Sequence, residues 1–235
     1  MPSQVRVGGG SIGLEDAKSF ARTYLNDKSR AWSYPAYDGY PGGPTRLLSE
    51  QDLFGAVLLN VPHLSLRTYY ALVGAMDELN AALVNIPDDL SLVDATPGQL
   101  ELVADLFGIL DPPRPHGVKL TKLSKILHRK RPGAIPLFDT NIGVCYKELG
   151  NPPPVPHVDT RSYVDFTRAW LPAVRADLTS QIHVWEEIVE MAPGPLITPL
   201  RALDIVGWHL GASAGRVSGG PVEAANIEQE LDDLH

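Results

Sequence analysis

The sequence predicts a mainly α protein, a compact chain of about eight helices preceded by a small N-terminal β-hairpin. Three observations carry this. Apolar residues recur at i, i+3 and i+4 through most of the chain, Ser, Thr or Asp precedes these periodic segments, and the Pro- and Gly-rich stretches fall between them. Short strand-like runs occur only at the start.

QVRV, GGGS and IGL read as a hairpin, and Glu15 to Asn26 then places Ala17, Phe20, Ala21, Tyr24 and Leu25 on one helical face. SYPAYDGYPGGP (33–44) turns repeatedly and cannot stay helical. Its tyrosines either rim a pocket and offer a base-stacking surface or cover core edges. Ser49 caps a helix through DLFGAVLLNV that Pro62 stops, and Ser65 caps the next, which runs to Pro87. Thr96 and Pro97 open a helix that ends at Asp111-Pro-Pro. A basic helix spans 118–129, and Asp139 opens another to Leu149. GNPPPVPH (150–157) is a stiff connector and the one sub-domain boundary the composition offers within a single domain of residues 1–235. Asp159 or Thr160 opens the longest pattern, to Met191, with Pro172 set to kink or divide it. The last helix starts near Thr198, and the acidic end, 219–235, is expected to be loosely docked.

Composition excludes several classes. No apolar run is long enough to span a bilayer and the N-terminus lacks a signal-peptide pattern, so a cytoplasmic protein with no membrane partner is expected. A single cysteine, Cys145, rules out an intrachain disulfide and a CxxC pair, and its apolar neighbours mark it as packed and inert. The seven histidines form no HxxxH pair, so no metal and no other cofactor are expected. Glu186, Glu187 and Glu190 read as a solvated face, and Arg201 with Asp204 as an ion pair.

The net charge of −8 argues against indiscriminate polyanion binding, but its distribution is uneven. Arg114, Lys119, Lys122, Lys125, Arg129, Lys130 and Arg131 lie in 112–138, which has no Asp or Glu. Removing these seven from 20 basic residues leaves 13 against 28 acidic ones, a balance of −15 elsewhere. On the helix, Lys122, Lys125 and Arg129 share one arc while Leu120, Leu123, Ile126 and Leu127 share another, so one face packs and the other is read as solvated and cationic, with His128 exposed or capping. The apolar crossing AIPLF then delivers Asp139, which either caps its helix or points into a cleft.

GVKLTKLSKILHRKRPGAIPLFDTNI (117–142) resembles the helix-hairpin-helix and catalytic-Asp segment of the base-excision DNA glycosylase superfamily. PAYDGYPGG, DLFGAVLLNVPHLS, KILHRKRPGAIPLFD and PGPLITPLRALDIVGW together are similar to a bacterial family of proteins of unknown function, over most of the chain. The first resemblance implies a glycosylase-like helical fold that binds DNA and cleaves an N-glycosidic bond. Asp139 would be the catalytic carboxylate, Lys122 would lie on or next to the amine nucleophile, and Gly117 and Val118 would hold a phosphate. Lys119, Lys125, Arg129, Lys130 and Arg131 would line the nucleic acid, with Tyr34, Tyr37, Tyr40 and Trp208 as the aromatic pocket. Lys119 stands where the family's hairpin has a second Gly, and a side chain there impedes close approach of a phosphate; Asn141 replaces the usual His; and Thr121 falls at the nucleophile position in a gapless alignment, which favours Asp-dependent hydrolysis over lyase chemistry. The alternative is a non-catalytic helical protein that binds a protein or an anionic ligand through the basic surface 112–131.

Overall fold

In the computed structural model, which describes residues 3–61 and 64–218, the fold is mainly helical with one two-stranded antiparallel hairpin. Strands β1 (Gln4–Val7) and β2 (Gly10–Gly13) pair Val5 with Ile12 and Val7 with Gly10. Val5 and Val7 enter the core while Gln4 and Arg6 face outward, the period-2 alternation of a half-buried strand. The turn residue Gly8 has φ +61°, and any Cβ there would strike the Cys145 carbonyl. The close approach lets Gly9 N–H donate to that carbonyl at 2.8 Å.

Helix α1 is Leu14–Asn26. α2 is short, Glu50–Leu53, and continues as a 3-10 turn, Phe54–Leu59, closed by Asn60 in the left-handed region. Its cap is as the sequence suggests: Ser49 N–H donates to Asp52 Oδ2 at 2.8 Å. The pattern expected as one helix from Ser65 to Pro87 is two, α3 (Leu66–Gly74) and α4 (Met76–Leu83), broken at Ala75 in the bridge region after a glycine that weakens the helix interior. The Pro62 stop lies outside the described residues, as does the acidic end from 219.

α5 (Pro97–Leu106) is capped by Thr96 and Gln99 and tightens into a 3-10 turn, Phe107–Leu110. After a hairpin of chain come α6 (Leu120–Leu127) and α7 (Thr140–Lys147). The longest pattern also divides, into α8 (Tyr163–Ser180), capped by Ser162, and α9 (Ile182–Val189). The break is at Gln181 and not at Pro172, which is exposed inside α8, where water can reach the carbonyl its ring leaves unbonded. Gln181 is buried because its amide clamps β1, accepting from Arg6 N–H at 2.8 Å and donating to Arg6 O at 2.9 Å.

Helix α10 (Pro199–Ser218) is the hub and touches α1, α7, α8, α9 and both strands. It lies close to α7: a Cβ at Gly211 would collide with Asn141 O. The apolar core draws on both sides of the 150–157 connector, from Val5 and Leu53 through Ile126 and Tyr146 to Trp170, Trp185 and Val206. Cys145 is packed inside it with Sγ 3.3 Å from Gly207 O, and burial pushes its thiol up to about 12. Among the described residues, no helix is long and apolar enough to cross a membrane.

Candidate functional site

Within the basic segment 112–131, Lys119 is the N-cap of α6, which ends at Leu127 short of the expected 129, so that Arg129, Lys130 and Arg131 follow the helix. Its cationic face is not solvated. Lys122, Lys125 and Arg131 are 8%, 6% and 2% exposed; segment 34–60 lies over Lys125 and the end of helix α4 over Arg131. The periodicity separates the two arcs correctly but cannot say what lies over the polar one.

The covering chain is rich in backbone carbonyls that its own irregular path cannot satisfy, and the cations supply the donors. Lys122 Nζ donates to the Gly117 carbonyl at 2.7 Å, tying α6 back to its hairpin. Lys125 Nζ donates to Leu59 O at 3.1 Å. Arg129 donates to the carbonyls of Tyr37 and Tyr40 and lies 5.4 Å from the centroid of each ring. Lys130 reaches the carbonyls of Gly43 and Thr45, each at 3.1 Å, and pairs with Asp52 at 2.8 Å. Arg131 donates to Ile86 O at 2.7 Å and Leu83 O at 3.0 Å at the end of α4, and pairs with Asp88 at 3.0 Å. His128, expected exposed or capping, is the C-cap residue of α6 and is 3% exposed, with Nδ1 2.6 Å from Ile135 O; burial holds its pKa down to about 4.

Asp139 follows the crossing 132–138 and caps α7, its Oδ1 accepting from Ile142 N–H at 3.0 Å. Its Oδ2 lies 4.0 Å from Lys125 Nζ, and the carboxylate side chain keeps 22% exposure. The capping reading holds through one oxygen, while the other lies beside a cation at a partly exposed position. Lys125, not Lys122, is the cation at Asp139.

Behind this pair lies a buried charge cluster that the sequence reading reduced to one ion pair. Arg201, 2% exposed, bonds Asp38 through Nε at 2.9 Å and Nη2 at 3.2 Å, Tyr24 Oη at 3.1 Å, and Asp204 through Nη1. Burial pushes the Asp204 carboxyl up to about 7 against the pull of Arg201; Asp139 adds to the rise and Lys125 opposes it. Asp38 was missed because an Asp in a Gly- and Tyr-rich loop reads as turn chemistry, and only the fold brings it to α10.

The tyrosines are not an open stacking surface. Tyr34 is 4% exposed with its hydroxyl donating to Pro195 O, and Tyr37 is 1% exposed with its hydroxyl donating to Lys125 O at 2.7 Å. Tyr40 is half-buried and donates to Gln51 O. Each ring packs and its hydroxyl finds a carbonyl, the alternative of tyrosines covering core edges. Trp208 lies apart from them, half-buried between Phe20 and Trp32. Gly117, at φ +68°, packs on Thr68, and Val118 is buried; Lys119 is half-buried at the turn. The structure thus joins Gly117 to Lys122 and Lys125 to Asp139, and directs Lys130 and Arg131 toward Asp52 and Asp88 instead.

No curated protein and no solved structure matches the chain. A family model does, over residues 17–211, from α1 into α10, and the chain belongs to that family of unknown function, DUF6308.

Proposed function

We propose that this is a cytoplasmic DNA-binding protein of the helix-hairpin-helix glycosylase type that hydrolyses an N-glycosidic bond with Asp139. The observation that supports the reading is the position of Asp139, anchored through Oδ1 as the cap of α7 while Oδ2 stays partly exposed, 4.0 Å from Lys125 Nζ. Loss of a base leaves positive charge on the sugar at C1′. A fixed carboxylate stabilises that charge or takes a proton from the attacking water, while the departing base keeps the bonding pair. Lys125 supplies a fixed charge beside Asp139, and the α5–α6 hairpin at Gly117 to Lys119 is the surface for a backbone phosphate. The side chains of Lys122, Lys125, Arg129, Lys130 and Arg131 donate to carbonyls within the fold, so the DNA backbone contact of this reading is placed on the hairpin and not on them.

That engagement favours a second reading, a non-catalytic helical protein that binds a protein or an anionic ligand. Fluorescence anisotropy with a duplex carrying an abasic-site analogue, against an intact duplex at two salt concentrations, separates the two. The glycosylase reading expects preferential, salt-sensitive binding weakened by Lys119→Glu and retained by Asp139→Asn, which abolishes base release. No preference even at low salt would leave the non-catalytic reading.

A further inference from the structure

The cations of the basic segment differ in one respect. Lys125, Lys130 and Arg131 each have a carboxylate partner, Asp139, Asp52 and Asp88. Arg129 donates to two carbonyls and lies against two tyrosine rings, yet no carboxylate among the described residues forms an ion pair with it, and its buried Nε meets no acceptor. The acids around it are engaged: Asp52 by Lys130 and the Gly43 and Ser49 amides, Asp38 by Arg201. Arg129 is half-buried, and a guanidinium whose Nε is buried without an acceptor and which has no carboxylate beside it is a costly arrangement that an anion would relieve.

Arg129 also lines a cavity of about 120 Å³, bounded by Tyr37, Asp38, His128, Thr198 and Arg201, with Leu196, 86% exposed, on its wall. Its charged walls are two guanidiniums and one carboxylate; Asp38 and Asp204 both engage Arg201, so the positive charge left without a carboxylate is that of Arg129. The volume holds a few waters or one small polyatomic ion. We propose that this cavity binds a single small oxyanion, of phosphate or carboxylate type, with Arg129 as its partner. The site is independent of the chemistry at Asp139.

The test is titration calorimetry and thermal shift of the whole protein with inorganic phosphate and with acetate, at ionic strength fixed by sodium chloride. Saturable binding of phosphate or acetate is expected, and whichever binds identifies the type. Because Arg129 also holds the 33–44 loop, Arg129→Gln is paired with Leu196→Asp, a change at an exposed position. Adding a negative charge at the wall should weaken binding about fivefold or more relative to Leu196→Asn, and Arg129→Lys should retain more affinity than Arg129→Gln. A response no different from chloride, or equal affinities in Leu196→Asp and Leu196→Asn, would overturn the proposal.

Discussion

Arg131 gives the sharpest test of whether the basic segment stabilises the fold from inside. Arg131→Met keeps most of the aliphatic stem and removes the guanidinium. Leu83 O retains its bond from Ile86 N–H, but Ile86 O, in a residue 1% exposed, loses its only described donor, and Asp88 keeps Arg46 alone at 2.6 Å. One stranded buried carbonyl costs about 1–3 kcal/mol, and the broken charge-assisted bonds and ion pair bring the expected loss to about 2–4 kcal/mol. At 2–4 °C per kcal/mol for a chain of this size, the melting temperature falls by about 4–16 °C. Arg168 is the control: it bonds Glu101 at 2.8 Å, Asp105 at 3.2 Å and Asp165 at 3.2 Å, but its side chain is 43% exposed. Arg168→Ala should therefore cost no more than about 1 kcal/mol. Urea unfolding of both variants, read through the midpoint, decides the matter. If Arg131→Met loses under about 1 kcal/mol, or no more than Arg168→Ala, the internal role assigned to these cations is wrong.

The pH dependence of stability has opposing contributions from two buried groups. His128 falls from an ordinary 6.5 to about 4, so between those values the unfolded chain binds more protons and stability rises with pH; Asp204 rises to about 7, so the folded chain binds more and stability falls with pH. Urea midpoints measured from pH 4 to 6.5 should show a slope more positive than wild type in Asp204→Asn and more negative in His128→Gln, each by up to about 1.4 kcal/mol per pH unit. Asp139→Asn should preserve stability within about 0.5 kcal/mol because Asn caps equally well, whereas Asp139→Ala should cost about 1 kcal/mol in thermal denaturation. Gly211→Ala should separate α7 from α10 through the Asn141 carbonyl and cost about 1–3 kcal/mol, seen as a lowered melting temperature; unchanged stability would mean the helices separate freely.

Local rules made part of this fold readable. The hairpin and the caps at Ser49, Ser65, Thr96 and Asp139 each depend on residues within a turn or a strand pair of one another. The misread boundaries depend on distant partners. Gln181 ends α8 where its amide meets Arg6, far away in sequence, whereas the local helix breaker Pro172 does not end it. The candidate site divides along the same line. Asp139 was legible because capping is local. The Asp38–Arg201–Asp204 cluster was not, since its members come from a loop and a helix joined only by the fold.

The misreading of the basic arc shows how pattern and environment separate. Helical periodicity reports which side chains share a face, and a cationic arc on a free helix faces water by default. Here the neighbouring chain is a Pro- and Gly-rich loop with few partners for its own carbonyls, so the cheapest donors are long cationic side chains that keep their charge within hydrogen-bond reach of oxygen. Loop and basic helix thus depend on each other: without the loop the cations would be solvated, and without the cations carbonyls such as those of Gly43 and Leu59 would lose the donors they have here. This dependence changes where function should be sought. A charge already donating to the fold has little left for a ligand, so excess positive charge in the sequence is a poor guide to a binding surface. The groups with capacity remaining are better guides, and among the described residues they include the outer oxygen of Asp139 and the Nε of Arg129, which has no acceptor.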